Sequence, residues 1–226
     1  HNIRGTLSTL LKARTTPHGR PTPTLVDLPA DTVEKIVLVW SLLVGALVVL
    51  AFWRFRRGPS RWTIPWQAGV VMLAPIFTTQ QHGDYQRLGR IGRGVRSDVA
   101  LDRCVAEVVS LTNADAGQLY MFGYSGGAQF VHRYLMAHPH RVAAAVAAAA
   151  GWYTFPDMKV RFPYGVRSQR RLPGVSFNPE EFLRVPVTVL VGCNDVNGEQ
   201  VRSTERVNRQ QGVNRVERAR NWVAAM

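Results

Sequence analysis

Ser125 and Asp195 are the two side chains whose surroundings could support covalent chemistry. Ser125 is the centre of Gly123-Tyr124-Ser125-Gly126-Gly127, a G-x-S-x-G pattern. A short apolar run, Leu119 to Phe122, precedes it, and helical periodicity follows. A serine on a strand-to-helix turn is held in a strained conformation. Glycines two positions either side leave room for that backbone and for substrate. Its hydroxyl then stands above the sheet edge, and the Gly126 amide, opening the helix, points to where an oxyanion would form. Asp195 follows Pro186-Val-Thr-Val-Leu-Val-Gly192, a β-branched run bounded by proline and glycine and the clearest strand signature of the chain. Functional groups of open parallel sheets collect at such strand ends. Serine is a weak nucleophile at its free pKa. It needs a base to take its proton and a carboxylate to hold that base in the right tautomer.

No histidine of the sequence is placed to be that base. His132 lies seven residues after Ser125 on the same helix, too far along the axis. His138 and His140 flank the helix-ending Pro139, where they suit the C-terminal dipole. As an H-x-H metal pair they lack carboxylate or cysteine partners. His82-Gly83 reads as loop sequence. Cys104 and Cys193 are far apart, in no C-x-x-C spacing, and read as small buried apolar residues. Neither a metal nor an organic cofactor is expected.

The elements that must position these residues alternate. Gly69 to Pro75 reads as a buried strand closed by proline, and residues 76–95 as a glycine-containing loop. Ser97 is placed as an N-cap with Asp98 favouring the helix dipole. Leu101, Cys104, Val105, Val108 and Leu111 then mark one helical face. After the serine turn, Phe130, Val131, Tyr134 and Leu135 supply the buried face of the next helix. Val142 to Ala150 is alanine-rich, which favours helix intrinsically, but its position between helix and Gly151 fits a short strand. Residues 151–184 carry Trp152, Tyr153, Phe155, Phe162, Tyr164 and Phe177, either a lid or an aromatic-stapled structural loop. Tyr124, Trp152 and Tyr153 are the candidate substrate-pocket residues. Val213, Val216, Ala219, Trp222, Val223 and Met226 mark a last amphipathic helix. The alternation implies a mainly parallel sheet with helices on both faces.

The formal charge is +13, and all cations but Lys12, Lys35 and Lys159 are arginine. They are scattered and accompany no recognition-helix or RNA-binding motif, so nucleic acid is not an expected partner. Residues 1–35 are polar and proline-containing, a tail or linker. Ile36 to Trp53 carries no charge over a length close to a membrane span, followed by Arg54, Arg56, Arg57 and Arg61. It reads equally as containing a buried parallel strand. Membrane anchoring and a cytoplasmic location both stay open on this reading. The remainder, 66–226, reads as one α/β domain.

Residues 69–226 resemble the α/β-hydrolase superfamily, nearest to bacterial serine esterases of the depolymerase-like or feruloyl-esterase-like kind. The residues that carry the likeness are the Gly123–Gly127 elbow, the helix through His132-Arg133-Tyr134, and Val189-Leu-Val-Gly-Cys-Asn-Asp195. The resemblance implies a carboxylic-ester hydrolase acting on a small-molecule or polymeric ester. Ser125 matches its nucleophile, Asp195 its acid and Gly126 its oxyanion-hole donor. It places the catalytic histidine after a further helix and strand, and no histidine follows His140. The expectation is therefore a domain incomplete at its C-terminus, with the base beyond Met226 and the fragment itself inactive. Residues 1–68 fall outside the likeness, as a membrane-anchored extension or a misread frame. A non-catalytic pseudoenzyme and a membrane-tethered interaction protein remain alternatives.

Overall fold

The computed structural model describes residues 14–15, 21–22, 24–28, 71–90, 92, 94–167, 172, 174–198 and 201–226. The apolar run Ile36 to Trp53 lies outside them. No helix among the described residues is long and apolar enough to cross a membrane.

Strands β1 (Arg14–Thr15) and β2 (Pro21–Thr22) form a small antiparallel pair. The main sheet is parallel and contains β3 (Thr24–Leu28), β4 (Leu119–Tyr124), β5 (Val142–Ala148) and β6 (Val187–Gly192), in the order β3-β6-β5-β4. The alanine-rich segment is thus a strand despite its helix propensity. Its backbone is bonded on both sides, by β4 and β6, and that pairing overrides local preference. Strand β3 was not foreseen: it lies in the stretch read as a polar tail, yet pairs with β6 from Thr24↔Thr188 to Leu28↔Gly192. A five-residue edge strand needs only backbone partners, which composition does not reveal.

The helices are α1 (Ser97–Thr112), α2 (Gly126–Ala137), α3 (Pro179–Phe182), α4 (Glu205–Gln211) and α5 (Arg215–Ala225). Side chains join the long ones into one layer. The Tyr134 hydroxyl of α2 donates to Asp102 of α1 at 2.6 Å, and the His132 ring of α2 meets Trp222 of α5 at 5.7 Å. The sheet is buried accordingly. In the register Gly123↔Ala147↔Val189 all three residues are buried, whereas Tyr120, Phe122 and Tyr124 of the alternate β4 positions are exposed. Strand β4 is the edge of the described sheet, and a groove of about 1000 Å³ runs along it between Val71–Phe77 and α1.

Helix α1 is anchored at its start rather than capped by Ser97. Arg96 occupies the cap position, and the Ser97 hydroxyl donates to the Tyr85 carbonyl at 2.9 Å. Its buried face narrows to Leu101 and Val105, with Leu111 out in solvent. Asp98 is buried and accepts hydrogen bonds from Arg96 and from His138 Nε2 at 2.8 Å, tying the start of α1 to the end of α2. Desolvation pushes the Asp98 carboxyl up, but the bonds from His138 and Arg96 outweigh it and hold the group at about 2, below its ordinary 3.8. A depressed carboxylate contributes stability that is fully present above its unfolded pKa and is lost as pH falls through the folded one. Both partners are partly exposed, so the contribution is about 1–2 kcal/mol. Urea unfolding between pH 5 and pH 2 should show the wild-type advantage over Asp98→Asn shrinking as the pH drops. A gap independent of pH would contradict the assignment.

Candidate functional site

Ser125 sits between β4 and α2 with φ 50° and ψ −109°. This left-handed φ is costly for a residue with a side chain and is held only because the surroundings fix it. The Ser125 amide donates to Ala148 O at 2.8 Å, and its carbonyl accepts from the Gln129 amide at 3.2 Å. The turn is thus bonded to the end of β5 on one side and to the first turn of α2 on the other. Gly123 is obligatory for the same geometry, since a Cβ there would fall 2.6 Å from the Ala128 amide nitrogen. That atom is backbone and not a flexible side-chain end, so Gly123→Ala should cost about 1–3 kcal/mol by overpacking. The urea midpoint should fall, and an unchanged midpoint would show that the turn relaxes freely. Gly126 is the first residue of α2, where amides have no intrahelical acceptor. Those N–H groups and the helix dipole favour negative charge beside Ser125.

Asp195 lies beyond the carboxyl end of β6, its amide turned back to Gly192 O at 2.9 Å. Ser125 and Asp195 therefore stand at the same end of the sheet, separated by β5. Two strand spacings amount to roughly 10 Å, a gap that direct hydrogen bonding cannot cross. The Asp195 carboxylate is paired with Arg215 Nη1 at 3.0 Å, at the start of α5.

No described histidine bonds to either residue. His132 is fully buried, with Nδ1 at 2.8 Å from Ala128 O and Nε2 accepting from the Thr154 amide at 3.0 Å. Desolvation, then the nearby Arg133 charge, holds its imidazole neutral, well below the usual histidine range. His138 bonds to Asp98. His140 precedes the amino end of β5, opposite the serine. His82 bonds Val95 O across the 82–94 bridge, as loop structure.

The expected pocket residues separate. Tyr124 is exposed next to the serine. Tyr153 is a core residue: it is fully buried, stacks on Trp222 at 4.9 Å, and both its backbone groups bond to the Gln211 side-chain amide at 2.8 Å. The apolar ring cannot reach solvent from between α2 and α5. Trp152 is also buried, with Arg133 over its ring at 4.1 Å and Tyr164 beside it at 5.2 Å. Phe155, Phe162 and Phe177 are buried as well, so the aromatic segment is a structural staple and not an open lid. Cys193, expected to be buried, is exposed.

Two residues at the elbow were not foreseen. The short 3₁₀ turn Tyr85–Arg87 packs against α2 and brings the Tyr85 hydroxyl and the Gln86 amide to Gly126. A Cβ on Gly126 would lie 2.6 Å from Tyr85 Oη and 3.3 Å from Gln86 Nε2. Desolvation raises the Tyr85 pKa, with Gln86 opposing it, so the hydroxyl stays protonated and available as a donor. Only an aromatic residue in a glycine-containing loop signalled this in sequence.

No protein-family model and no curated protein matches the chain. Solved structures do. The poly(3-hydroxybutyrate) depolymerase LpqC from Bordetella parapertussis is 35% identical, over 57% of this chain and 43% of its own, with a TM-score of 0.48. Poly(aspartic acid) hydrolase-1 from Sphingomonas sp. KT-1 is 26% identical, over 66% of this chain and 57% of its own, with a TM-score of 0.53. The chain thus spans about half the length of these solved structures. Its parallel sheet and the second of these likenesses identify the fold as that of the α/β-hydrolases, and the chain as similar to depolymerase-like hydrolases.

Proposed function

We propose that the chain belongs to a serine hydrolase that cleaves a carboxylic ester. The observation that carries this reading is the left-handed Ser125 between β4 and α2, with the first amides of α2 beside it. Strain of this kind is retained where a side chain must project out of the sheet. The likeness to hydrolases whose names specify polymers supports a polymeric substrate, with a small-molecule ester as the simpler alternative.

In this mechanism Ser125 Oγ attacks the ester carbonyl and passes its proton to a histidine from outside the described residues. The Gly126 amide stabilises the oxyanion. The C–O bond to the alcohol breaks, the histidine returns the proton to the leaving alkoxide, and an acyl-enzyme remains on Ser125. Water, deprotonated by the same histidine, then releases the acid. Asp195 orients that histidine across the gap left by β5. The Arg215–Asp195 pair favours a second reading, in which the carboxylate is already engaged and the fold serves binding alone.

A fluorophosphonate probe separates the two, because it phosphonylates only an activated serine. Incubation of the full-length protein should add one adduct, located on Ser125 by peptide mass spectrometry. An unlabelled Ser125 in folded protein would favour the binding reading.

A further inference from the structure

Near the elbow is a recess of about 280 Å³ bordered by Arg87, Arg90, Arg161 and Arg206, with Tyr164 and Phe162 in its wall. One of the four guanidiniums, that of Arg90, has a carboxylate nearby: Asp84, at 3.8 Å. Among the described residues, Arg87, Arg161 and Arg206 form no ion pair. Elsewhere Arg96 is paired with Asp98, Arg209 with Glu205 and Arg215 with Asp195. Like charges collected without counter-charges repel one another, and a cluster of them is a ready anion site.

Packing holds the cluster in place. Arg206 Cζ lies 4.7 Å from the Tyr164 ring centroid, and Arg87 Cζ 5.4 Å from that of Trp152. The two rings are themselves in contact at 5.2 Å. Stacking fixes the planes of these guanidiniums while leaving their N–H edges to donate. Desolvation lowers the Arg87 pKa, opposed by the Asp84 charge and reinforced by those of Arg202 and Arg90.

The recess is linked to the serine turn through one short element. Arg87 is the last residue of the 3₁₀ turn whose first two residues, Tyr85 and Gln86, lie against Gly126. The Gln86 carbonyl is fixed by Arg133 Nη1 at 2.5 Å, and Arg133 stacks on Trp152. The turn Tyr85–Arg87 thus has Gly126 against its first two residues and the arginine recess at its last.

We propose that this recess binds a carboxylate of the substrate, so that the preferred substrate is an ester bearing a free acid, as a polycarboxylate chain does. The inference rests on the hydrolase reading for its catalytic consequence, though not for the binding itself. Paired N–H donors of arginine match the two oxygens of a carboxylate.

Two measurements on the full-length protein test it. The first compares kcat/KM for nitrophenyl hydrogen succinate with that for nitrophenyl butyrate. In Arg161→Ala/Arg206→Ala the succinate-to-butyrate ratio should fall about tenfold or more, the scale of one lost charge-assisted contact. Arg161→Lys/Arg206→Lys should recover part of it. An unchanged ratio would overturn the proposal. The second measurement is calorimetric titration of Ser125→Ala protein with succinate, which needs no catalysis. Binding should persist in that variant and be lost in the double arginine variant. No succinate binding, or binding of inorganic phosphate or an RNA oligonucleotide in preference to succinate, would overturn the carboxylate assignment. Retained turnover in Ser125→Ala would defeat the hydrolase reading while leaving the titration to decide the recess.

Discussion

Ser125→Ala is expected to reduce ester turnover by the full-length protein roughly 10⁴–10⁶-fold, the scale of a lost nucleophile in a triad. The loss should fall on kcat, because the hydroxyl makes its decisive bond only as the carbonyl becomes tetrahedral. The variant should fold as well as wild type. The turn at Ser125 is held by backbone bonds to Ala148 O and Gln129 N, and no side-chain hydrogen bond of the serine takes part. Removing Oγ therefore removes chemistry and little else. A residual rate is still expected from the helix-start amides, which can polarise a bound carbonyl for attack by water. Circular dichroism and thermal unfolding of the variant provide the control. Undiminished turnover would show that Ser125 is an ordinary turn residue and that the fold is used for something else.

Arg218→Ala should be among the most destabilising single substitutions in the domain, at about 3–5 kcal/mol. The guanidinium is fully buried and makes four hydrogen bonds to neutral acceptors. Nε donates to Gly212 O at 2.9 Å and Nη1 to Gly151 O at 2.6 Å, while Nη2 reaches Arg202 O at 3.1 Å and Asn208 Oδ1 at 2.9 Å. These acceptors lie after β5, before α4, within α4 and after α4. One side chain thus ties α5 to the connection that follows β5 and to the whole of α4. Truncation strands the acceptors in a volume that water does not fill well. Arg218→Lys keeps the charge but not the fork, and should recover only a minor part of the stability. Urea unfolding followed by tryptophan fluorescence, to which Trp222, buried on the same helix, contributes, reads both variants. A change below about 1 kcal/mol for the alanine variant would show that solvent replaces these bonds.

Function is affected by this hub only indirectly. Asp195 is held by Arg215, one turn before Arg218 on α5. Loosening α5 should therefore disturb the aspartate before the serine, whose supports are β5 and α2. The two variants are accordingly distinguishable: one loses rate with stability intact, the other loses stability first.

The sequence by itself determined the local units around the site. The elbow was legible because steric demand at Ser125 requires small residues at fixed offsets, and Gly123 shows that demand directly. The buried face of α2, with Phe130, Val131, Tyr134 and Leu135, was legible because helical period is a local property. So was β6, whose β-branched run is bounded by proline and glycine. Only the tertiary structure decided which distant groups meet. Strand β3 joined the sheet through backbone bonds that carry no side-chain signature. Tyr85 and Gln86 reached Gly126 from forty residues upstream, and the four arginines of the recess came together from residues 87, 90, 161 and 206. Tyr153 looked like a pocket residue by composition, yet packing closed it between Trp222 and Gln211. The physical reason is common to these cases: period and turn chemistry act over a few residues, whereas the choice of partner follows from sheet order and close packing of the whole domain.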